Sequence, residues 1–225
     1  MSKELWEKLG QEGNQYGDVL KENVRWGSYK PEWMGKREWV HILGEDSCNY
    51  LHMGYMAGLT RQYIDRTVGW GYELSHEDRE LLMDTAYIHD FAEAIDGDVP
   101  DTEKVFDKET FAQERTSLIK VLGSVATDAV FLADRVLPVM QGKSVLAHHW
   151  RAIEVIGYAE TAKKAGEQLN NLDGLVDELW FPPNELADVK TALEGVYATR
   201  ERTHKHLKEF KFLPAVAEYL LDSEL

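Results

Sequence analysis

Cysteine is nearly absent. Cys48 is the only one among 225 residues, so no disulfide can form within the chain, and a reducing, cytoplasmic setting is expected. No run approaches the roughly 18–20 apolar residues that a membrane span needs. The polar, acidic start MSKELWEKLGQEGNQYGD lacks a signal-peptide pattern. Positive charge is also scarce: 25 lysines and arginines face 40 acids, a formal charge of −15. That balance excludes binding along a nucleic-acid backbone, which demands clustered cations. A small phosphorylated ligand stays open, because a metal and one or two arginines reverse the field locally. The chain has no internal repeat, no low-complexity tract and no linker-like stretch. The period-two alternation of a sheet is missing over any length. What is present is 44 % hydrophobic residues, enough for a full core.

Apolar residues recur at helical spacing almost throughout, and the fold class is all-α. Residues 1–36, with GNQYGD, WGSYKPEW and scattered tryptophans, read as irregular chain packed over the domain. A helix is expected from about Asp46 to Ile64, carrying Leu51, Tyr55, Met56, Leu59 and Tyr63 at 3–4 spacing. After GWGY (69–72), Ser75 and Asp78 have the spacing of a capping box. The helix they open is expected to run to about Glu93. Leu82, Ala86, His89 and Glu93 then form one stripe, and the turn chemistry of DGDVPD closes it. Further helices are expected over about 108–122, 125–140 (Val130, Phe131 and Leu137 inward) and 144–169. A long helix follows FPPN (181–184), and a short one follows Phe212.

The segment YIHDFAEAIDGDVP (87–100) carries the chemistry. His89 and Asp90 are adjacent, Glu93 follows one helical turn later, and Asp98 comes just past Gly97. Imidazole with carboxylate suits a hard-to-borderline divalent metal, and a further acid nearby can move a proton for an activated water. A lone buried histidine is more often a hydrogen-bonded core residue than a ligand. Here, however, three ionisable groups share one apolar stripe, and their joint burial is costly without a cation or a network. His52, 37 residues upstream on its own amphipathic helix, supplies a second imidazole.

NYLHMGYMAG (49–58) and YIHDFAEAIDGDVP resemble the first two signature blocks of the HD-domain metal-dependent phosphohydrolases. The pattern HD-x-x-E-x-x-x-G-D is similar to that of the 5′-deoxynucleotidase branch, and the match covers about residues 37–160. The resemblance implies an HD-domain helical bundle of about six to eight helices. Residues 1–36 would be an N-terminal extension packed on the domain, 37–170 the core and 171–225 a C-terminal helical extension. It implies one divalent metal, held by His52, His89 and Asp90. Glu93 becomes the proton donor or water-positioning acid, and Asp98 a carboxylate that contacts substrate or orients water. The family uses an arginine and a tryptophan ahead of the first histidine for phosphate and base. Arg37 and Trp39, in KREWV, are the nearest candidates, against the reading of a surface arginine beside a core tryptophan.

The family's fourth ligand is an aspartate on a later helix, and the chain departs from the pattern there. The helix around HHWRAIEVIGYAETA (148–162) offers Glu154 at that place, and FLADRVL offers Asp134. Apolar neighbours at helical spacing lead us to expect either one as a buried carboxylate. His148 and His149 are assigned to the helix surface or behind the ligands, and His41, His76, His204 and His206 likewise carry no role. The implied activity is release of phosphate from a nucleotide, foremost a (deoxy)nucleoside 5′-monophosphate. A deoxynucleoside triphosphate triphosphohydrolase, recruiting Arg115, Lys120 and Arg135, is the rival enzyme. A non-catalytic HD scaffold is the rival of another class. The implied partners are a small nucleotide and a second copy of the chain, with no nucleic acid and no membrane.

Overall fold

Helix starts are written into the chain as side chains that accept from first-turn amides. Asn14 accepts from the amides of Tyr16 and Gly17 at 3.1 and 3.3 Å. Ser75 and Asp78 form the reciprocal capping box, and Ser144 accepts from Ala147 at 3.1 Å. Each cap satisfies donors that a helix leaves orphaned. The computed structural model describes residues 2–97, 108–179 and 182–222. In chain order the helices are α1 (Ser2–Leu9), α2 (Gln15–Glu22), α3 (Lys36–Leu43), α4 (Asn49–Gly69), α5 (His76–Ile88) and α6 (Glu93–Asp96). They continue with α7 (Lys108–Leu122), α8 (Ala129–Gln141), α9 (Val145–Leu169), α10 (Leu172–Leu179), α11 (Pro183–Leu207) and α12 (Pro214–Asp222). No strand occurs among the described residues, only an isolated bridge. The all-α expectation holds; the described residues form twelve helices where six to eight were expected.

Three packed clusters share the interior. α4, α5 and α9 meet the C-terminal segment around Met56, Leu82, Trp150 and Val216. α1, α2, α7 and α8 close around Leu9, Phe91, Leu118 and Leu132. α3, α10 and α11 meet the end of α9 around Trp39, Ala165 and Leu193. The long helices α9 and α11, 25 residues each, lie along one another. A close approach supports the central crossing: a Cβ at Gly157 of α9 would sit 3.1 Å from Met56 Sδ of α4.

Three expectations need correction. Residues 1–36 are not irregular, for they hold α1 and α2. Eight-residue helices are marginal alone, and these two are held by burial of Leu5, Leu9 and Leu20 in the second cluster. Val130 and Phe131 point outward, at 52 % and 59 % exposure. The inward face of α8 is Ala129, Leu132, Ala133, Val136 and Leu137, which leaves 130, 131 and 134 on the opposite arc. Finally, α5 stops at Ile88. Tighter bonds from Phe91 N to the Ile88 carbonyl and from Glu93 N to the Asp90 carbonyl carry the chain through a bend into α6.

Candidate metal centre

The bend after α5 matters because neighbours on a regular helix point about 100° apart. His89 keeps helical backbone at the end of α5 and Asp90 begins the bend, with His89 Nε2 3.2 Å from Asp90 Oδ1. The first turn of α4 brings His52, whose Nε2 lies 3.1 Å from His89 Nε2 and 3.6 Å from Asp90 Oδ2. All three residues are buried, and their ligand-type atoms lie within 4.8 Å of one another. The Trp150 ring closes one side, 5.0 Å from the His89 ring.

The donor set fits a metal ion. His89 Nδ1 sits 3.0 Å from the Ala86 carbonyl, which only accepts, so Nδ1 carries the proton. When the ring is neutral, its lone pair then lies on Nε2, on the side of His52 and Asp90, the arrangement that orients a metal-ligating histidine. Burial on its own pushes the Asp90 carboxyl up. Against it stand the His89 imidazole when protonated, the fixed charge of Arg25 and the His52 imidazole when protonated, which together hold the group below the usual carboxylate range. Asp90 is therefore an anion. Two imidazoles and one carboxylate, buried together, form a group able to hold a metal ion.

Arg25 is the residue that sequence reasoning missed. Its Nη1 donates to Asp90 Oδ2 at 2.8 Å, both side chains nearly buried. It reaches the site because Val24 bridges Cys48, the Arg25 amide donates to Ser47 O at 3.0 Å, and the Asn49 amide donates to Asn23 O at 3.3 Å. That short antiparallel contact seats residues 23–26 against the start of α4. Next to Arg25, Trp26 has φ +60°, the one positive φ of a non-glycine residue among those described. This costly backbone state holds its ring 6.1 Å from both Tyr29 and Tyr158. No local pattern marks Arg25, which lies in a stretch without periodicity.

Glu93 is buried beside the group. Asn49 donates its amide to Glu93 Oε2 through a short contact, and Asn23 Nδ2 donates to the Glu93 backbone carbonyl at 3.3 Å. Asn49 Oδ1 is buried with no hydrogen-bond partner among the described residues. Here a signal existed: Asn49 precedes His52 by three residues, so helical spacing puts both on one face.

The remaining candidates sit elsewhere. Asp98 lies outside the described residues. Arg37 is exposed on α3, and Trp39 is fully buried. The Trp39 indole N–H donates to the Arg25 carbonyl at 3.2 Å, so Trp39 braces the arginine that does reach the site. Glu154 is half-buried on α9, one turn from Trp150 and one from Tyr158, whose rings meet His89 and Trp26. It is not part of the ligand-distance group, nor is Asp134. The expectation of a buried Asp134 is corrected: it is exposed and doubly bonded to Arg115, at 2.8 and 3.2 Å. Arg135 faces Asp84 at 3.6 Å, and Lys120 is exposed. His149 is not on the surface either. It is fully buried, with Nδ1 2.7 Å from the Tyr63 hydroxyl.

The fold and site together define an all-α protein with a buried His–His–Asp group able to hold a metal ion. Comparison with family models, with curated proteins and with solved structures finds no match. No helix among the described residues is long and apolar enough to cross a membrane.

Proposed function

We propose that the chain is a metal-dependent phosphohydrolase of the HD type that removes phosphate from a nucleotide, foremost a (deoxy)nucleoside 5′-monophosphate. The observation that carries this reading is the convergence of His52, His89 and Asp90 beside buried Glu93. A divalent cation at such a group lowers the pKa of water and polarises a phosphoryl oxygen. The chain's own part is positioning and charge, as phosphoryl transfer requires. The bond to Ala86 fixes the ring of His89 and its tautomer. Arg25 keeps Asp90 ionised and sets a guanidinium next to the ligands, where a phosphate dianion would otherwise meet a strongly acidic protein. Glu93, held by Asn49, would guide the attacking water or protonate the leaving alkoxide.

A monophosphate is favoured over a triphosphate by the whereabouts of the other cations. Arg115 is engaged with Asp134 on an exposed face, and Arg135 with Asp84, so neither supports extra phosphates at the His52 group. The test is phosphate release from a panel of nucleoside mono- and triphosphates, using metal-stripped protein given Co²⁺, Mn²⁺, Mg²⁺ or Zn²⁺. Monophosphate turnover that disappears in His89→Ala is the expected result. Inorganic triphosphate as product would make the chain a triphosphohydrolase. No turnover in protein that binds none of these metals would make it a non-catalytic scaffold.

A further inference from the structure

A cleft of about 450 Å³ opens between α4, α9 and α12, within the size range of small-molecule sites. None of His52, His89 or Asp90 lines it. Leu59, Ile156 and Ala215 supply apolar wall, and Tyr55, Tyr63 and Tyr219 supply aromatic wall. Glu160 stands among them, half-buried, with Glu45 and Arg66 also lining the cleft. Tyr219 donates its hydroxyl to Glu160 Oε1 at 2.6 Å. That bond orients the carboxylate and leaves Oε2 as an acceptor with no hydrogen-bond donor among the described residues.

A second observation concerns Gly58, in the interior of α4. Glycine there is unfavourable relative to almost any other residue, so its presence calls for a reason. Gly54, one turn earlier on the same helix, has one, as does Gly157 on the helix that crosses it. A Cβ at Gly54 would meet the Trp6 ring at 3.0 Å, and Gly157 across the crossing has Met56 at 3.1 Å. Gly58 has nothing within 4 Å, and it lines the cleft. No internal packing requires the missing side chain. What it preserves is open volume over the cleft floor.

An oriented carboxylate between tyrosine rings and aliphatic wall suits one kind of guest. An ammonium group can take the free carboxylate oxygen through a charge-assisted bond while its stem lies against the rings, and the net charge of −15 favours a cation's approach. We propose that this cleft binds a small organic amine, with its ammonium on Glu160 and its apolar body over Leu59 and Ile156. The amine could come from a free alkyl- or arylamine or from an amino acid, whose carboxylate Arg66 would meet. This site is independent of the phosphohydrolase reading.

Calorimetric titration of the full chain with tyramine and cadaverine tests it, with 4-ethylphenol and 1,5-pentanediol as uncharged counterparts. Both amines should bind at least about tenfold more tightly than their counterparts. Glu160→Gln, which keeps an acceptor for Tyr219, should erase that difference. Gly58→Leu should abolish binding while leaving the melting temperature unchanged or higher, because the substitution favours the helix and meets no neighbour. Tighter binding of L-tyrosine than of tyramine, lost in Arg66→Gln, would identify an amino acid as the guest; the reverse order would identify a free amine. The proposal is overturned if neither amine binds at up to about 10 mM, or if both bind Glu160→Gln or Gly58→Leu as they bind the unaltered chain.

Discussion

His52 Nε2 and His89 Nε2 face each other at 3.1 Å inside the protein, with the Asp90 carboxylate against both. Two imidazole nitrogens at that separation share one proton or point two lone pairs at a common cation. The Ala86 carbonyl holds the His89 proton on Nδ1, which leaves Nε2 as the lone-pair side. Metal binding should therefore depend on each ring. We expect about one ion per chain, as a single set of three protein ligands supports, falling to background in His52→Ala and in His89→Ala. Elemental analysis after dialysis measures this, and full metal content in either variant would refute the assignment.

Glu93 is buried with its amide bonded to the Asp90 carbonyl, but it is not in the ligand-distance group. Glu93→Gln should lower turnover on the order of 10²- to 10⁴-fold, the range for a lost general acid or base, with metal content kept. Parallel measurement of phosphate release and bound metal separates the roles. Loss of the ion in this variant would make Glu93 structural.

Arg25 and Asp90 form a nearly buried pair at 2.8 Å. Removing one partner of such a pair leaves a buried charge and costs about 3–5 kcal/mol. Arg25→Ala should therefore lower apo stability by that order in urea unfolding, and Arg25→Lys by less. On the proposed function, Arg25→Lys in the metal-loaded protein should raise KM for a monophosphate more than it lowers kcat, because lysine keeps charge but loses the planar fork. An unchanged KM would remove Arg25 from phosphate binding.

His149 gives a pH prediction. Burial pushes its pKa down from the ordinary value to about 4, with Asp78 opposing and His148 adding to the shift. As pH falls, the unfolded chain takes up this proton near the ordinary value, while the folded chain resists until about 4. Stability from this residue is thus complete above the ordinary pKa and is lost progressively between there and about pH 4. Its share of the loss between pH 7 and 5 is roughly 1–2 kcal/mol. Urea unfolding at those two pH values should show a smaller drop in His149→Leu than in the unaltered chain. Identical drops would mean His149 is not buried as a neutral ring.

The phase of α8 can be read from two adjacent positions. Phe131 is 59 % exposed and Leu132 1 %. Phe131→Glu should change stability by no more than about 0.5 kcal/mol, while Leu132→Glu, which buries an unpaired charge, should prevent stable folding. Thermal unfolding of both variants decides it.

Much of the fold was legible because capping and periodicity are local. The Ser75–Asp78 box starts α5, and the spacing of Leu118 and Leu122 marks α7. Where local signals conflict, the sequence misleads. GNQYGD looked like loop, yet Asn14 in it is an N-cap. Phe131 looked like core by composition, although the stripe through Leu132 and Val136 turns it outward. The stripe from Leu82 to Glu93 is buried throughout, but the helix beneath it breaks, and hydrophobic period alone carries no record of a bend that keeps the same residues inside.

By itself, the sequence determined that this protein is helical, and it singled out His52, His89, Asp90 and Glu93, with Asp98, Arg37, Trp39 and Glu154 or Asp134 beside them, as candidate site residues. Those readings follow from residue type and spacing along the chain. Only the tertiary structure decided which groups meet. It brought Arg25 to Asp90 across 65 positions and sent Asp134 to Arg115 on an exposed face. It also set Trp39 behind Arg25 rather than in the site. Distances between groups on different helices depend on how those helices cross, and crossing is settled by packing such as Met56 against Gly157, which no single segment contains.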